Sequence, residues 1–566
     1  MGSYQPAFLK RPPSNASLKT QDDSRYDGST KSLVDKFSLS ADPSNWNIDR
    51  PEPDDDLHRP DPRRDVLNDS GTMFTIRGLA NLGCLALLLL CTVTLFAGYP
   101  VISHYTRTKL SFNDGFNYGG SNASGVVPEL PGHRGPIDPD TPDWALTRTS
   151  LHDGSELKLV FSDEFDNDGR TFYPGDDPYW EATDLHYWQT GNLEWYDPAT
   201  ITTKDGALKI TLSKKNTHDL KYQGGMMSSW NRFCFTGGYI EVAVTLPGLS
   251  GVAGLWPAIW TMGNLGRAGY GASLEGMWPY TYDTCDVGTV PNQTWKGVPD
   301  VSSYPGDKYN LGDFSYLPGQ RLSRCTCPGE DHPGPMHDDK TFVGRSAPEI
   351  DIFEATSSDK KGAVSQSGQW GPFNAGYEWF NTTENLIIPD PTITQLNSYT
   401  GGVFQQAISA VSIANGDCYE LNSGCYAVYG FEYKPGFVQD NAYISWINNN
   451  KTAWTMNVAG TTADSRVNIG PRPVPQEPMY MILNLGISPN FGDIDFEHLT
   501  FPTVMSVDYV RVYQRPDNIN VGCDPDSFPT QKYINEHIDA YTNPNLTTWR
   551  NDYQQPFPKN KFKGEC

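Results

Sequence analysis

The chain has 566 residues, with 43 Lys or Arg against 67 Asp or Glu, a formal net charge of −24. So acidic a chain lacks the basic footprint that a phosphate backbone demands, which excludes nucleic acid as a partner and leaves a neutral polysaccharide compatible. With 53 Gly, 44 Pro and 12% aromatics, the composition favours many short strands joined by turns, and the length suits one large all-β domain with tails.

Residues 1–78 are rich in Ser, Asp and Pro and hold too few clustered apolar residues to build a core, so a disordered cytosolic tail is expected. Residues 79–102 carry no charge and include the run Leu85-Ala86-Leu87-Leu88-Leu89-Leu90. About 20 such residues span a bilayer. The stretch lies too far from Met1 for a cleaved signal and is expected to be a transmembrane signal anchor. After it come sequons at Asn122, Asn292, Asn381, Asn450 and Asn545, candidate N-glycan sites, and eight of the ten cysteines. Both features suit a secretory lumen. The expected topology is therefore single-pass type II, in the endoplasmic reticulum, Golgi or plasma membrane, with the C-terminal side luminal or extracellular.

Residues 103–150 read as a luminal stem of Gly, Asn and Pro. From 151 to 515 the chain shows strand alternation. In Gly238–Leu246 the residues Ile240, Val242, Val244 and Leu246 share one face while Glu241 and Thr245 point away, and Leu208, Ile210 and Leu212 repeat the period of two. No 20–50-residue period recurs, so solenoids and propellers are excluded and an antiparallel two-sheet sandwich is expected. The eight luminal cysteines (234, 285, 325, 327, 418, 425, 523 and 566) fit disulfides whose connectivity the sequence leaves open. Cys325-Thr326-Cys327 has no second pair with zinc spacing, so disulfides are favoured over a metal site there.

The segment Glu349-Ile350-Asp351-Ile352-Phe353-Glu354 alternates acids with large apolar residues of high strand propensity. Glu349 and Asp351 share a face. Strict alternation turns Glu354 to the other face, whereas one β-bulge near Ile352-Phe353 brings all three acids to one side. Retaining cleavage of a glycosidic bond needs a carboxylate nucleophile and a carboxylic acid about 5 Å apart. A third carboxyl between them can hold a proton, and crowding of like charges drives the pKa values apart. An E-x-D-x-x-E run alone also describes a solvated face or a cation site. Its flanks carry the argument further.

The run resembles the bulged active-site strand of glycoside hydrolase family 16, the laminarinases and cell-wall transglycosylases. Phe161–Asp166, Thr190–Tyr196, Phe235–Val242, Gly254–Trp260 and Asp508–Tyr513 are similar to that family's other blocks and come in its order. A closer resemblance is to the fungal β-glucan-synthesis-associated membrane proteins. It rests on Thr261–Arg267, Leu317–Gln320, Cys325–Cys327 with Gly329–Pro333, Ile482–Ser488 and the tail from Cys523 to Cys566. The resemblance implies a laminarinase-like jelly-roll sandwich over 151–515, a concave β-glucan cleft and a role in wall β-1,6-glucan, with residues 516–566 as a cysteine-containing extension.

By the same resemblance Glu349 is the nucleophile, Asp351 its assisting acid and Glu354 the general acid/base. Asn192, Trp195, Trp256, Trp260 and Trp370 are candidate cleft residues. Indole faces pack on sugar C–H faces, although Trp is equally a core residue. No cofactor or catalytic metal is implied, and a structural calcium is left open. The chain departs from the wider family at two points. Residues 263–345 intervene before the acidic strand, with three cysteines and Trp278, and are expected to form an ordered, disulfide-tied loop that reshapes the cleft. Ala243 stands where many of the hydrolases carry arginine. Two functions follow: a membrane-anchored retaining β-glucan glycosidase or transglycosylase, or a β-glucan-binding scaffold of the secretory pathway without turnover.

Overall fold

The computed structural model describes residues 76–99, 101, 135–300, 302, 313–358 and 361–566. The expected tail up to residue 75, most of the stem and the Asn122 sequon lie outside the described residues. The chain forms two units, Met1–Thr108 and Lys109–Cys566. In the first, a helix over Ile76–Val93 continues as a wider turn over Thr94–Gly98. Its stretch Leu79–Gly98 is 20 residues, long and apolar enough to cross a membrane. Leu87, Leu88, Leu89, Leu90 and Phe96 are exposed, as lipid-facing side chains would be and core side chains would not.

The second unit is built on two ten-stranded sheets. The first runs in the order Thr147–Thr149, Glu156–Asp163, Thr503–Gln514, Gly238–Thr245, Ala427–Lys434, Tyr443–Asn448, Lys451–Asn457 and Leu386–Ile387. The second runs Thr394–Leu396, Gln405–Ile413, Lys361–Trp370, Glu349–Ser358, Leu255–Gly263, Met479–Ile487, Tyr222–Ser228 and Glu181–Ala182. Neighbours are antiparallel apart from Glu194–Tyr196, which pairs parallel with Tyr222–Gly224. Strands distant in sequence lie side by side, the mark of a jelly-roll-like sandwich rather than a meander.

Alternation explains the core between the sheets. Ile240, Val242 and Val244 from one strand, Leu246 just past its end, and Leu208, Ile210 and Leu212 from another are fully buried in it, as their period of two predicts. The opposite face of Gly238–Thr245 is not left to water. Glu241 is 1% exposed, paired with Arg148 at 3.3 Å and accepting from the Tyr239 hydroxyl at 3.1 Å. Arg148 comes from the strand Thr147–Thr149, which pairs with Glu156–Lys158. The folded unit therefore begins before residue 151, the expected end of the stem. The reason is that residues from Asp138 to Ser150 cover a sheet face that carries a carboxylate in need of a partner.

A second apolar core sits on the other side of the second sheet. Trp260, Met262, Tyr480 and Ile482 from the sheet meet Leu265, Tyr270 and Met277 from the insertion and Tyr533, Ile534, Tyr541 and Trp549 from the C-terminal extension. Four disulfides, Cys234–Cys523, Cys285–Cys325, Cys327–Cys566 and Cys418–Cys425, settle the connectivity. One closes the insertion on itself, and two tie the extension down. Cys325 and Cys327 thus serve different bridges. Asn292, Asn381, Asn450 and Asn545 are all exposed.

Arg345, fully buried just ahead of the acidic strand, is forked onto Glu477 with 2.8 and 2.7 Å bonds. It also donates to the carbonyls of Gly334 and Pro529 at 2.7 Å each, joining insertion, extension and sandwich. Glu477→Ala would strand a buried guanidinium. The expected loss is about 3–5 kcal/mol of stability, read from chemical denaturation, while Arg345→Met with Glu477→Leu recovers most of it.

Candidate active site

The strand Glu349–Ser358 lies between Leu255–Gly263 and Lys361–Trp370. Its register slips on both sides: between Asp351 and Phe353 against the first neighbour, and between Asp351 and Glu354 against the second. Ile350, Ile352, Phe353 and Ala355 all belong to the sandwich core, so two consecutive side chains enter it. The extra inward residue returns Glu354 to the face of Glu349 and Asp351. Each acid faces known neighbours across the sheet: Glu349 lies between Met262 and Gln369, Asp351 between Trp260 and Ser367, and Glu354 between Ala258 and Ser365.

Different donors hold the three carboxyls. The Trp278 indole donates to Glu349 Oε2 at 2.6 Å, and the Trp256 indole to Glu354 Oε1 at 3.0 Å. Asp351 Oδ2 accepts from Ser367 at 2.6 Å and Gln369 at 3.1 Å. The Trp446 indole, from the first sheet, holds the Asp351 carbonyl at 2.8 Å and pins the strand at its bulge. Asp351 is 1% exposed, and Glu349 and Glu354 are half-buried. Burial pushes all three up, and the charges of neighbouring acids add to the rise at Glu349 and Glu354. Glu349 rises well above the ordinary carboxylate range through burial and the charges of Asp351 and Glu354. Asp351 is raised by burial to about 6, held down by Ser367, Gln369 and a hydrogen bond shared with Glu349. Glu354 is pushed up to about 8 by burial and Asp351. Three such acids cannot all ionise near neutrality, so the cluster keeps protons to give.

Of the expected cleft residues, the structure brings Trp256 and Trp260 to the acids. Trp256 lies flat against Phe491, with ring centroids 4.3 Å apart, and Trp260 donates to Asn484 at 2.8 Å. Asn192 joins at one remove. It is buried, bonded to Glu194 at 2.6 Å and to the Tyr196 hydroxyl, which also accepts from Asn484. Gly486 makes room for this group, because a Cβ there would meet Glu194 Oε1 at 2.5 Å. Trp195 alternates against Glu194 and Tyr196, so it faces the other way, donating to Asp184 and lying on His218. Trp370 is corrected from cleft to core. Ser367 and Gln369 take the acid face, so the residue one step on points inward and is 1% exposed within the sandwich.

Sequence reasoning missed Ser367, Gln369, Tyr187 and Trp278, and held Glu194 only as part of the family-like block Thr190–Tyr196. The polar alternation Ser365, Ser367, Gln369 on the strand after the acidic hairpin could have revealed the first two. Glu194 is pushed by burial to about 7. Tyr187 feels the charges of all three acids, which, after burial, raise its hydroxyl. Trp278 sits 71 residues from Glu349 and carries no local signal.

Residues 44–566 match the family described as beta-glucan synthesis-associated protein SKN1/KRE6/Sbg1. The chain belongs to this family. It is 43% identical to the beta-glucan synthesis-associated protein KRE6 of Saccharomyces cerevisiae over 538 residues, which cover 92% of this chain and 69% of that one. It is also 43% identical over 532 residues to SKN1 of Candida albicans, with 92% and 67% covered. Among solved structures, the laminarinase catalytic domain of Thermotoga maritima is similar at 19% identity and a TM-score of 0.35, covering 63% of this chain and 98% of that one.

The raised pKa of Glu354 ties the site to stability. Its folded value of about 8 lies above the unfolded 4.5, so the folded state binds the extra proton, and stability falls as pH rises from about 4.5 through 8. Glu354→Gln removes that dependence. Its melting temperature is expected to match the parent at pH 4.5 and exceed it at pH 8, measured by calorimetry at both.

Proposed function

We propose that the chain is a membrane-anchored enzyme that cuts β-glucan, or cuts and rejoins it, through a covalent glycosyl intermediate. The observation that carries this reading is the single face formed by Glu349, Asp351 and Glu354 at the register slip. Glu349 attacks the anomeric carbon while Glu354, protonated near neutrality, gives its proton to the departing oxygen. Asp351 shares a hydrogen bond with Glu349 and takes up the proton that must leave Glu349 before attack. In the second half, Glu354 acts as base and draws a proton from water or from a sugar hydroxyl, whose oxygen bonds the anomeric carbon as the bond to Glu349 breaks and frees its carboxylate. The half-buried indole of Trp256 flanks these acids and offers apolar surface to a sugar ring, while the buried Trp260 backs Asp351 from the neighbouring strand. The chemistry calls for no cofactor.

The helix over Leu79–Gly98 is the anchor in this proposal, with residues before it cytosolic and the sandwich luminal, where exposed Asn292, Asn381, Asn450 and Asn545 carry N-glycans. The sandwich acts on β-glucan and contributes to building wall β-1,6-glucan. The matched family's description, beta-glucan synthesis-associated, supports β-glucan as the substrate class.

Glu349→Gln tests the reading. The expected result is loss of covalent labelling by an activated β-glucoside and of wall β-1,6-glucan, with the protein folded and correctly located. Unchanged wall glucan under those conditions would sink the enzymatic proposal and favour a glucan-binding scaffold. The parent's rate should also fall as pH rises through about 8, where Glu354 loses the proton it donates, and Glu354→Gln should lose the step rather than shift it.

A further inference from the structure

The insertion contributes directly to the acid cluster through one side chain. Trp278 is half-buried, and its indole N–H meets Glu349 Oε2 at 2.6 Å. The position of that N–H is fixed from three directions. The Trp278 and Met277 backbone amides bond the Leu274 carbonyl at 3.0 and 2.9 Å, closing a helical turn over Gly271–Leu274. The amide of Ala347, two residues ahead of Glu349, bonds the Met277 carbonyl at 3.1 Å, so the turn is tied to the root of the acidic strand itself.

Arg321, fully buried, caps the same turn by donating to the carbonyls of Ala272, Ser273 and Glu275 at 2.9 to 3.1 Å. The C-terminal extension then closes over Arg321. The Trp549 ring lies 3.7 Å from the guanidinium carbon, and the Trp549 amide donates to Glu275 at 2.7 Å. Gly276, at φ +76°, sits where a Cβ would meet Phe557 at 2.7 Å, so the extension packs against bare backbone. Cys327–Cys566 staples this arrangement. A surface loop has no need of such support, but an N–H aimed at a single oxygen does.

We propose that Trp278 is a positioning residue, held by the C-terminal extension, whose indole N–H orients the Glu349 carboxylate for attack. The inference rests on the enzymatic reading above and deepens it. The titratable groups facing Glu349 are Asp351 and Glu354 from its own strand, Tyr187 from the loop before Glu194–Tyr196, and Tyr480 from Met479–Ile487. All four are acids or phenols, so none supplies positive charge. Ser367 and Gln369 donate to Asp351 and draw charge there. The Trp278 N–H is the counterweight that opposes the upward push on Glu349 and eases its ionisation.

Trp278→Phe keeps the ring and removes the donor. Tested in the full chain by trapping with an activated β-glucoside across pH, it is expected to slow covalent labelling about tenfold. The acid limb of the rate profile should move up by about one pH unit, because Glu349 loses the bond that favours its anion. The melting transition should remain near that of the parent. A purely structural role for Trp278 would lower stability and amplitude without moving the limb, and that result overturns the proposal. Trp278→Leu, which also lacks the donor, gives the same reading should Trp278→Phe fail to fold. Glu349→Gln in parallel separates the two claims. If it abolishes labelling while Trp278→Phe leaves the acid limb in place, the inference alone falls, whereas normal labelling of Glu349→Gln fells both.

Discussion

Two adjacent side chains, Ile352 and Phe353, both enter the sandwich core, and the rest of the site depends on that departure from alternation. A strand whose inward positions are filled by Ile350, Ile352 and Phe353 must slip register against both neighbours, and it does. The slip sets Glu354 beside the other two acids. Burial of two large apolar side chains therefore fixes the position of a polar one. The Trp446 indole, reaching from the opposite sheet to the Asp351 carbonyl, satisfies backbone at the point where a bulge disrupts the ladder.

Concentrating three carboxyls on a partly desolvated face works against stability, because each ionised form gives up hydration and sits beside like charges. The structure answers with neutral donors. Indoles hold the two outer acids, and a hydroxyl and an amide hold the middle one. Neutral donors steady an anion without fixing it permanently, so protons can still move among the three groups. A guanidinium beside Glu354 would have held it ionised and removed its capacity to give a proton. The arginines near this region are engaged elsewhere: Arg345 on Glu477, and Arg267 on Glu181 and over the Trp230 and Tyr270 rings.

The insertion and the C-terminal extension form one structure although 170 residues of sandwich separate them in sequence. Their joint core uses the outward face of the second sheet, where Trp260 and Met262 would otherwise be wet. Arg321 and Arg345 reach carbonyls that loops cannot pair with one another, a common use of a buried fork with several donors. Folding of this cap and formation of the acid site are therefore linked through Trp278 and Ala347.

The sequence alone determined what local chemistry dictates. A charge-free stretch of bilayer length, strand alternation with Ile240, Val242 and Val244 inward, and acids spaced along one strand are each set by neighbours within a few residues. All three reappear in the structure. Alternation also showed that a bulge was required for Glu354 to join, but the choice between bulge and regular strand belongs to the core, which has space for Phe353. Partners distant along the chain had no local trace. The Trp278 donor, the cover of Asp138 to Ser150 over Glu241, and the pairing of Cys327 with Cys566 arise because sheet topology brings remote segments together. Trp370 shows the same limit in reverse. Its type suits a sugar platform, yet register against Asp351 gave that face to Ser367 and Gln369 and turned the indole inward. Composition and period define what each strand can offer, and only the pairing of strands decides which side of the sheet receives it.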